Sequence, residues 1–213
     1  MNTRRPALIF DFGNVIAFFD YSRGIEALAR RTGLTIPQFL AHLAGSGLAE
    51  VVMQYETGAI STAEFSKSAR ARIGVDLDHH EFASLWADIF WLNEPVAALV
   101  RGLSARGYPL VVGSNTNELH AVQFRRQFAE VLSCFHGLAL SFEVGHCKPS
   151  AEFYHACARM ARAEPRDCIF IDDTPANVAG AESAGLRGLH YRDTPTLVSD
   201  LRRLGVEVDG LEL

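Results

Sequence analysis

The stretch Ala7–Val15 constrains the fold more than any other part of this 213-residue chain. An apolar run, Ala7-Leu8-Ile9-Phe10, leads to a single carboxylate, Asp11, which is followed by Phe12 and a Gly-Asn pair. A strand buried in a parallel sheet has such a continuous hydrophobic sequence, and ligands bind beyond the carboxyl ends of such strands. Asp11 is therefore predicted to stand at a ligand-binding edge. The alternative reading is a turn residue that only closes the strand.

From Glu94 onward, apolar runs alternate with helical patterns. Helices are predicted near 94–106, 117–131, 150–162 and 176–184, with a final helix opened by Thr194-Pro195. Strands are predicted near 109–113, 137–142, 168–171 and 186–191. This alternation predicts an α/β fold, a Rossmann-like three-layer sandwich with a central parallel sheet and right-handed crossovers.

Residues 18–93 have a different character, because helix-like segments follow one another without a convincing strand. The segments fall near 22–31, 35–44, 48–57, 61–73 and 79–90. We predict a small helical cap inserted after the first strand, so that residues 1–17 and 94–213 form the core. Aromatic residues in the insert could build a lid over a substrate, although aromatics at helical spacing are more often core. Glu56 or Gln54 could hydrogen-bond substrate hydroxyls.

Composition and charge restrict the partners. The formal net charge is −5 and the basic pairs are scattered, so no nucleic-acid partner is expected. The four cysteines have neither disulfide-framework nor metal-finger spacing, as is typical of cytosolic thiols. The N-terminal sequence lacks a signal-peptide pattern and no apolar segment reaches membrane-spanning length, which predicts a cytoplasmic protein with no membrane partner. The oligomeric state is not indicated.

Polar residues follow four of the predicted strands, and a doubly wound sheet would bring these strand ends to one edge. Adjacent acids directly after an apolar strand repel each other unless a cation or hydrogen-bond donors compensate, so the acidic pair indicates a site. Taken singly, the serine-asparagine pair could be a turn and the lysine a solvated surface residue. The eight histidines form no metal set, although His146 could border the pocket. The candidate residues are Asp11, Ser114, Asn115, Lys148, Asp172, Asp173 and Asn177.

Four motifs carry a family resemblance: Phe-Asp-Phe-Gly-Asn-Val, Ser-Asn-Thr-Asn-Glu-Leu-His, Ser-Phe-Glu-Val-Gly-His-Cys-Lys-Pro and Phe-Ile-Asp-Asp-Thr-Pro-Ala-Asn. In this order and spacing they resemble the haloacid dehalogenase-like hydrolase superfamily. More narrowly, they are similar to its bacterial α-D-glucose-1-phosphate phosphatase branch. The resemblance covers essentially the whole chain, and the helical insert corresponds to the cap of many members.

The resemblance implies a Mg²⁺-dependent hydrolase of a small phosphorylated metabolite, with sugar 1-phosphates as the expected class. Asp11 would be the nucleophile and form an aspartyl-phosphate that water hydrolyses. Lys148 would orient the nucleophile, and Lys148, Ser114 and Asn115 would bind the phosphoryl group. The metal would be held by Asp11, the Gly13 carbonyl and Asp173, with Asp172 as a further ligand or an acceptor behind them, and Asn177 would support this loop.

One departure concerns Gly13, since most phosphatases of the superfamily carry there an aspartate that protonates the leaving oxygen. The glucose-1-phosphatase branch shares this glycine, but the general acid is left unassigned. Such an enzyme is expected to prefer leaving groups that need little protonation.

Two alternatives remain open for the chain. One is a 2-haloacid dehalogenase, in which Asp11 attacks carbon without a metal, although that pattern lacks the acidic pair. The other is a catalytically weak protein that binds metal and phosphate.

Overall fold

The computed structural model describes residues 5–211; the first four residues, on which the expectation of no leader partly rests, lie outside this range. The strands in chain order are β1 (Ala7–Phe10), β2 (Ala17–Phe19), β3 (Phe90–Leu92), β4 (Leu110–Ser114), β5 (Gly137–Leu140), β6 (Cys168–Asp172) and β7 (Arg187–His190). Five of them form a parallel sheet in the order β5-β4-β1-β6-β7. The first strand is thus central, as the doubly wound arrangement requires.

Twelve α-helices connect these strands within the described part of the chain. They are α1 (Ser22–Thr32), α2 (Ile36–Gly45), α3 (Leu48–Glu56), α4 (Thr62–Ile73), α5 (His79–Ala87), α6 (Glu94–Ala105), α7 (Glu118–Gln127), α8 (Ala129–Leu132), α9 (Ser141–Val144), α10 (Ala151–Met160), α11 (Pro175–Ser183) and α12 (Thr194–Arg203). Over residues 5–211, none of the helices combines the length and the apolar character needed to cross a bilayer.

The central sheet is covered by helices on both faces. Alternate side chains of β1 enter different cores, because successive residues of a strand point to opposite faces. Leu8 and Phe10 pack with α6, α7 and α12, whereas Ile9 packs with α10 and α11. The predicted three-layer sandwich is therefore confirmed. The order of the sheet places the carboxyl ends of β1, β4 and β6 side by side at one edge.

The helices α1–α5 enclose a hydrophobic cluster of their own. Phe39, Phe65 and Phe82 are fully buried in it, and the ring of Tyr55 stacks on Phe65 with centroids 4.2 Å apart. Aromatic pairs of this kind add stability beyond the area they bury. Four of the ten aromatic residues in 18–93 are thus fully buried in this core.

The expectation of no strand within residues 18–93 is wrong. Ala17–Phe19 pairs with Phe90–Leu92 in an antiparallel ribbon, with Phe18 opposite Trp91. A three-residue strand is too short to give a periodic signal, and its pairing partner lies about seventy residues away. The two strands form the connection between the sheet and α1–α5.

Three further boundaries differ from the sequence-based expectation. The helix expected near 79–90 ends at Ala87, because β3 begins at Phe90. The helix expected near 117–131 is interrupted at Phe128, whose backbone leaves helical geometry while its ring packs 6.1 Å from that of Phe12. The strand expected over 137–142 ends at Leu140, since the next residue begins α9. Tertiary packing has overridden local propensity at these positions.

Candidate functional site

A cavity of about 200 Å³ opens between the carboxyl edge of the sheet and the helices α1–α5. All of the predicted site residues except Asp172 line this cavity. Asp172 lies directly behind the lining, next to Asp11 and Asp173. The sheet order explains this convergence, since β1, β4 and β6 are neighbours and deliver their terminal residues to one place. The lining residues predicted from the sequence are Asp11, Gly13, Ser114, Asn115, Lys148, Asp173 and Asn177.

A buried triad forms the centre of the site. The Nζ atom of Lys148 lies 2.8 Å from Oδ1 of Asp11 and 2.7 Å from Oδ2 of Asp172. The Lys148 side chain is only 2% exposed, although the sequence alone allowed a solvated lysine. A buried cation needs a carboxylate beside it, because desolvation would otherwise favour the neutral amine.

The charges of the triad shift one another's pKa values. Burial, together with the charge of Asp172, raises the pKa of Asp11 to about 7, although Lys148 opposes this shift. Burial alone would lower the pKa of Lys148, but the two carboxylates outweigh burial and raise it. Lys148 therefore stays protonated at neutral pH. Its single positive charge is smaller than the combined negative charge of the ionised Asp11 and Asp172 carboxylates. A second cation would hold Asp11 ionised.

Asp11 has one oxygen fixed and one free. Its Oδ1 accepts the Lys148 ammonium and also the backbone N–H of Phe12, at 2.6 Å. Among residues 5–211, no donor hydrogen-bonds to Oδ2. The carboxylate is thus oriented through one oxygen while the other is available to a reacting atom or a metal.

The two acids that follow β6 have different surroundings. Asp172 is fully buried, and its oxygens accept from the Thr174 N–H, the Asn177 amide and Lys148. Asp173 is partly exposed and lines the cavity, where the side-chain amide of Asn14 donates to its Oδ2 at 3.0 Å. The oxygens of Asp172 are therefore largely occupied by hydrogen bonds, whereas those of Asp173 can still bind a ligand in the cavity.

The three carboxylates suit a hard cation. Ligand oxygens of Asp11, Asp172 and Asp173 all lie within 4.8 Å of one another. Carboxylate and carbonyl oxygens are the donors that Mg²⁺ prefers, whereas Zn²⁺ sites favour sulfur and nitrogen. The donor set thus fits a divalent cation bound through oxygen, with the Gly13 backbone close by.

The residues after β4 are held by reciprocal hydrogen bonds. Asn115 accepts from the backbone N–H of Lys148 at 2.8 Å and donates to its carbonyl at 3.1 Å. Ser141 accepts from the N–H of Thr116 and donates to the same residue's carbonyl. Asn115 therefore uses its side chain to fix Lys148, which leaves its backbone and Ser114 at the cavity. Sequence reasoning missed the role of Ser141, since a serine inside an apolar run gives no signal of its partner.

Further lining residues come from outside the four strand ends. Phe19, Tyr21, Glu56 and Phe90 approach from the inserted segment, and His120 approaches from α7. The suggested border residue His146 is exposed and is not among the lining residues. The sequence suggests the aromatic residues of the insert and Glu56 or Gln54 as possible substrate contacts, but only the fold shows which of them reach the cavity.

His120 joins the two halves of the molecule. Its Nε2 lies 3.0 Å from the carbonyl oxygen of Trp86 in α5, and its Nδ1 lies 3.1 Å from the amide nitrogen of Asn117. These partners assign the proton to Nε2, so that it donates to Trp86 and Nδ1 accepts. The ring also stacks on the Trp86 indole. Burial lowers the pKa of His120 to about 4, so the ring is neutral at pH 7.

This histidine makes the stability pH-dependent. Because the folded protein keeps His120 neutral until about pH 4 while an unfolded histidine protonates near 6.5, acid favours unfolding. The free energy of unfolding is expected to be unaffected by this group above pH 7 and to fall by about 2 kcal/mol at pH 5. Chemical denaturation of the wild type and of His120→Gln at pH 7.5 and 5 measures the difference. Exposed His155→Gln is the control and should retain the wild-type pH dependence; equal pH dependence in His120→Gln would contradict this account.

Comparison with known proteins agrees with the fold. The model of the haloacid dehalogenase-like hydrolase family matches residues 6–185. A phosphatase of Mycobacterium tuberculosis is 29% identical over 96% of this chain and 97% of its own length. D-ribitol-5-phosphate phosphatase of Bacteroides thetaiotaomicron is 25% identical over 80% of this chain and 84% of its own. A solved structure from the same organism, a haloacid dehalogenase family enzyme with magnesium and inorganic phosphate, superposes with a TM-score of 0.75 at 23% identity, covering 89% and 95% of the two chains.

The chain belongs to the haloacid dehalogenase-like hydrolase family. It is a hydrolase, and its relatives place it among the phosphatases of that family. The narrower resemblance to glucose-1-phosphate phosphatases is not confirmed, because the relatives found are other phosphatases.

Proposed function

We propose that this protein is a Mg²⁺-dependent phosphomonoesterase that forms an aspartyl-phosphate on Asp11 and acts on a small phosphorylated metabolite, with sugar 1-phosphates as the leading class. The buried Asp11–Lys148–Asp172 triad beside Asp173 is the observation that carries this proposal. Such a site has a nucleophile that is oriented and partly desolvated, and it has an unbalanced negative charge that a cation would neutralise.

The residues divide the reaction between them. Asp11 attacks phosphorus through its free oxygen, the bond from phosphorus to the leaving oxygen breaks, and that oxygen takes up a proton. Water then attacks the phosphorus of the aspartyl-phosphate and releases Asp11 with inorganic phosphate. Lys148, Ser114 and the backbone N–H groups after β4 bind the phosphoryl oxygens and hold them in line, which is the main requirement of phosphoryl transfer.

The metal site in this proposal consists of Asp11, the carbonyl of Gly13 and Asp173. Asp172 holds Lys148 from behind, since its oxygens already accept several hydrogen bonds. Bound there, Mg²⁺ would offset the charge of the phosphoryl group and of the carboxylates. The neighbouring structure with magnesium and phosphate supports this choice of metal.

The size of the cavity supports a small substrate. Its volume is about 200 Å³. A phosphoryl group and a short polyol or sugar fill such a space. The relative that acts on D-ribitol 5-phosphate shows that a phosphorylated polyol is within the range of these phosphatases.

The absence of an acid at position 13 predicts a dependence on the leaving group. A Cβ atom on Gly13 would approach the ring of Phe19 to 3.0 Å, so the ring already occupies part of the space that a second aspartate would use. A positioned acid is worth about 10²–10⁴-fold, and its loss weighs most on alkoxide leaving groups. We therefore expect glucose 1-phosphate to be hydrolysed at least about tenfold faster than glucose 6-phosphate, measured as kcat/KM.

A size-matched pair controls for substrate fit. Acetyl phosphate and ethyl phosphate are similar in volume, but acetate leaves without a proton and ethoxide does not. The same order of reactivity is expected for this pair. Equal rates within each pair would mean that another group supplies the proton.

Phosphate release from these substrates, with and without Mg²⁺, tests the proposed function directly. Release that needs Mg²⁺ is the expected result. Chloride release from 2-chloropropionate without metal would instead indicate a dehalogenase. Magnesium binding without release from any substrate would indicate a protein that binds but does not turn over.

A further inference from the structure

The carboxylate of Glu56 has no partner among the residues that the structure describes. It is the last residue of α3 and the one acidic side chain that the helices α1–α5 contribute to the lining of the catalytic cavity within residues 5–211. No hydrogen bond or ion pair within the described residues engages this carboxylate. Burial raises its pKa, as expected for a charge that has lost water without gaining a partner. Gln54, the other candidate from the sequence, is exposed and does not line the cavity.

The position of Glu56 is fixed by contacts with the core. The hydroxyl of Tyr55 accepts from the backbone N–H of Leu119 at 3.0 Å. The thiol of Cys147, the residue before Lys148, donates to the backbone carbonyl of Glu56 at 3.7 Å. Gly58 packs so tightly on the carbonyl of Phe142 that no side chain could replace its hydrogen. The end of α3 is therefore docked beside the phosphoryl-binding residues.

The surroundings of Glu56 determine which ligand would satisfy it. Tyr21 lines the same cavity as Glu56, and burial and then the negative charge of Glu56 raise the pKa of Tyr21 to about 12. The rings of Phe19 and Phe90 form apolar walls. Lys148 is the single lysine or arginine among the lining residues, and it is already shared by two carboxylates. The outer part of the cavity thus offers hydrogen-bond acceptors and apolar surface, and the described residues supply no positive charge there for a second anionic group.

We propose that Glu56, assisted by the Tyr21 hydroxyl, recognises the leaving group of the substrate by accepting hydrogen bonds from its hydroxyls and excludes leaving groups that carry a carboxylate or a second phosphate. This inference rests on the proposed phosphatase function and narrows its substrate class to phosphorylated polyols and sugars. The same carboxylate thus attracts the hydroxyls of the correct substrate and repels a negatively charged analogue. Specificity against a close analogue is commonly achieved by such a combination.

The sharpest test compares glycerol 3-phosphate with 3-phosphoglycerate, because the two differ only by a hydroxymethyl group in place of a carboxylate. The wild-type, Mg²⁺-loaded enzyme is expected to prefer glycerol 3-phosphate in kcat/KM by about 100-fold or more. Glu56→Gln keeps the shape and removes the charge, and it should reduce this preference at least about tenfold. Acetyl phosphate has no hydroxyl that could donate a hydrogen bond to Glu56, so the rate of its hydrolysis should differ by less than about twofold between Glu56→Gln and the wild type.

Glu50→Gln is the matched control, since Glu50 lies on the same helix but is exposed and lines no part of the cavity. It should behave as the wild type with all three substrates. A preference that survives in Glu56→Gln would overturn the inference, and so would an equal loss on glycerol 3-phosphate and acetyl phosphate, since that marks a general effect on the site. If the wild type released no phosphate from acetyl phosphate or from the sugar phosphates, the proposed function itself would fail.

Discussion

Asp11→Asn is expected to abolish phosphatase activity without lowering stability. Removing a covalent nucleophile costs about 10⁴–10⁶-fold in rate. Burial raises the pKa of Asp11 to about 7, so ionised Asp11 lowers the free energy of unfolding of the metal-free protein. Asparagine keeps an oxygen for Lys148 and for the Phe12 N–H, so the melting temperature without metal should be equal to that of the wild type or higher.

Two measurements check this prediction. Phosphate release follows the loss of activity, and a thermal melt in EDTA follows stability. An inactive variant that melts well below the wild type would show that Asp11 has a structural role. A variant that retains more than about one thousandth of the wild-type rate would exclude Asp11 as the nucleophile.

Lys148→Met is expected to cause the largest loss of stability of any single change at the site. Methionine preserves the length of the side chain but leaves Asp11 and Asp172 facing each other without a cation. Breaking a buried ion pair by removing one partner costs about 3–5 kcal/mol. Activity should fall as well, because in the proposed reaction Lys148 orients both the nucleophile and the phosphoryl group.

A surface ion pair provides the control for this variant. Arg125 and Glu143 are joined at 2.7 Å, the same length as the pair of Lys148 with Asp172, but both side chains are more than 40% exposed. Arg125→Ala should cost less than about 1 kcal/mol. Mg²⁺ should restore part of the stability of Lys148→Met, as a larger increase in melting temperature than in the wild type. Equal losses in the two variants would contradict the charge balance described above.

The order of elements and the convergence of the candidate site residues could be predicted from the sequence. Asp11 and the pair Asp172-Asp173 come directly after apolar runs, and such runs in a parallel sheet end at one edge. Lys148 could be placed in the site only through the family motif, since a lysine before a proline gives no local sign of burial. The structure shows it to be 2% exposed between two carboxylates.

Features that depend on distant partners could not be predicted. The strand Ala17–Phe19 exists because Phe90–Leu92 pairs with it, and neither segment has a pattern of its own. The neutral state of His120 depends on Trp86 and Asn117, which come from different elements. Glu56 was suggested together with Gln54, and only the docking of the helix end shows that Glu56, rather than Gln54 or Glu50, reaches the cavity.

The same dependence on tertiary contacts explains why the substrate is harder to infer than the reaction. The residues proposed to bind the phosphoryl group come from the sheet edge, where the fold fixes their positions. The residues around the leaving group come mainly from the inserted segment, and they reach the cavity through contacts such as that of Tyr55 with Leu119. Changes in those contacts alter specificity without changing the chemistry.

Trapping the covalent intermediate tests the central claim most directly. The wild-type enzyme is mixed with acetyl phosphate and Mg²⁺, quenched in acid within the first turnover, and digested for mass spectrometry; borohydride reduction of a parallel sample converts an aspartyl-phosphate to homoserine. The account predicts one phosphoryl group, located on Asp11, which is absent when Mg²⁺ is omitted and absent in Asp11→Asn. Turnover that leaves Asp11 unmodified, or a phosphoryl group on any other residue, would contradict it.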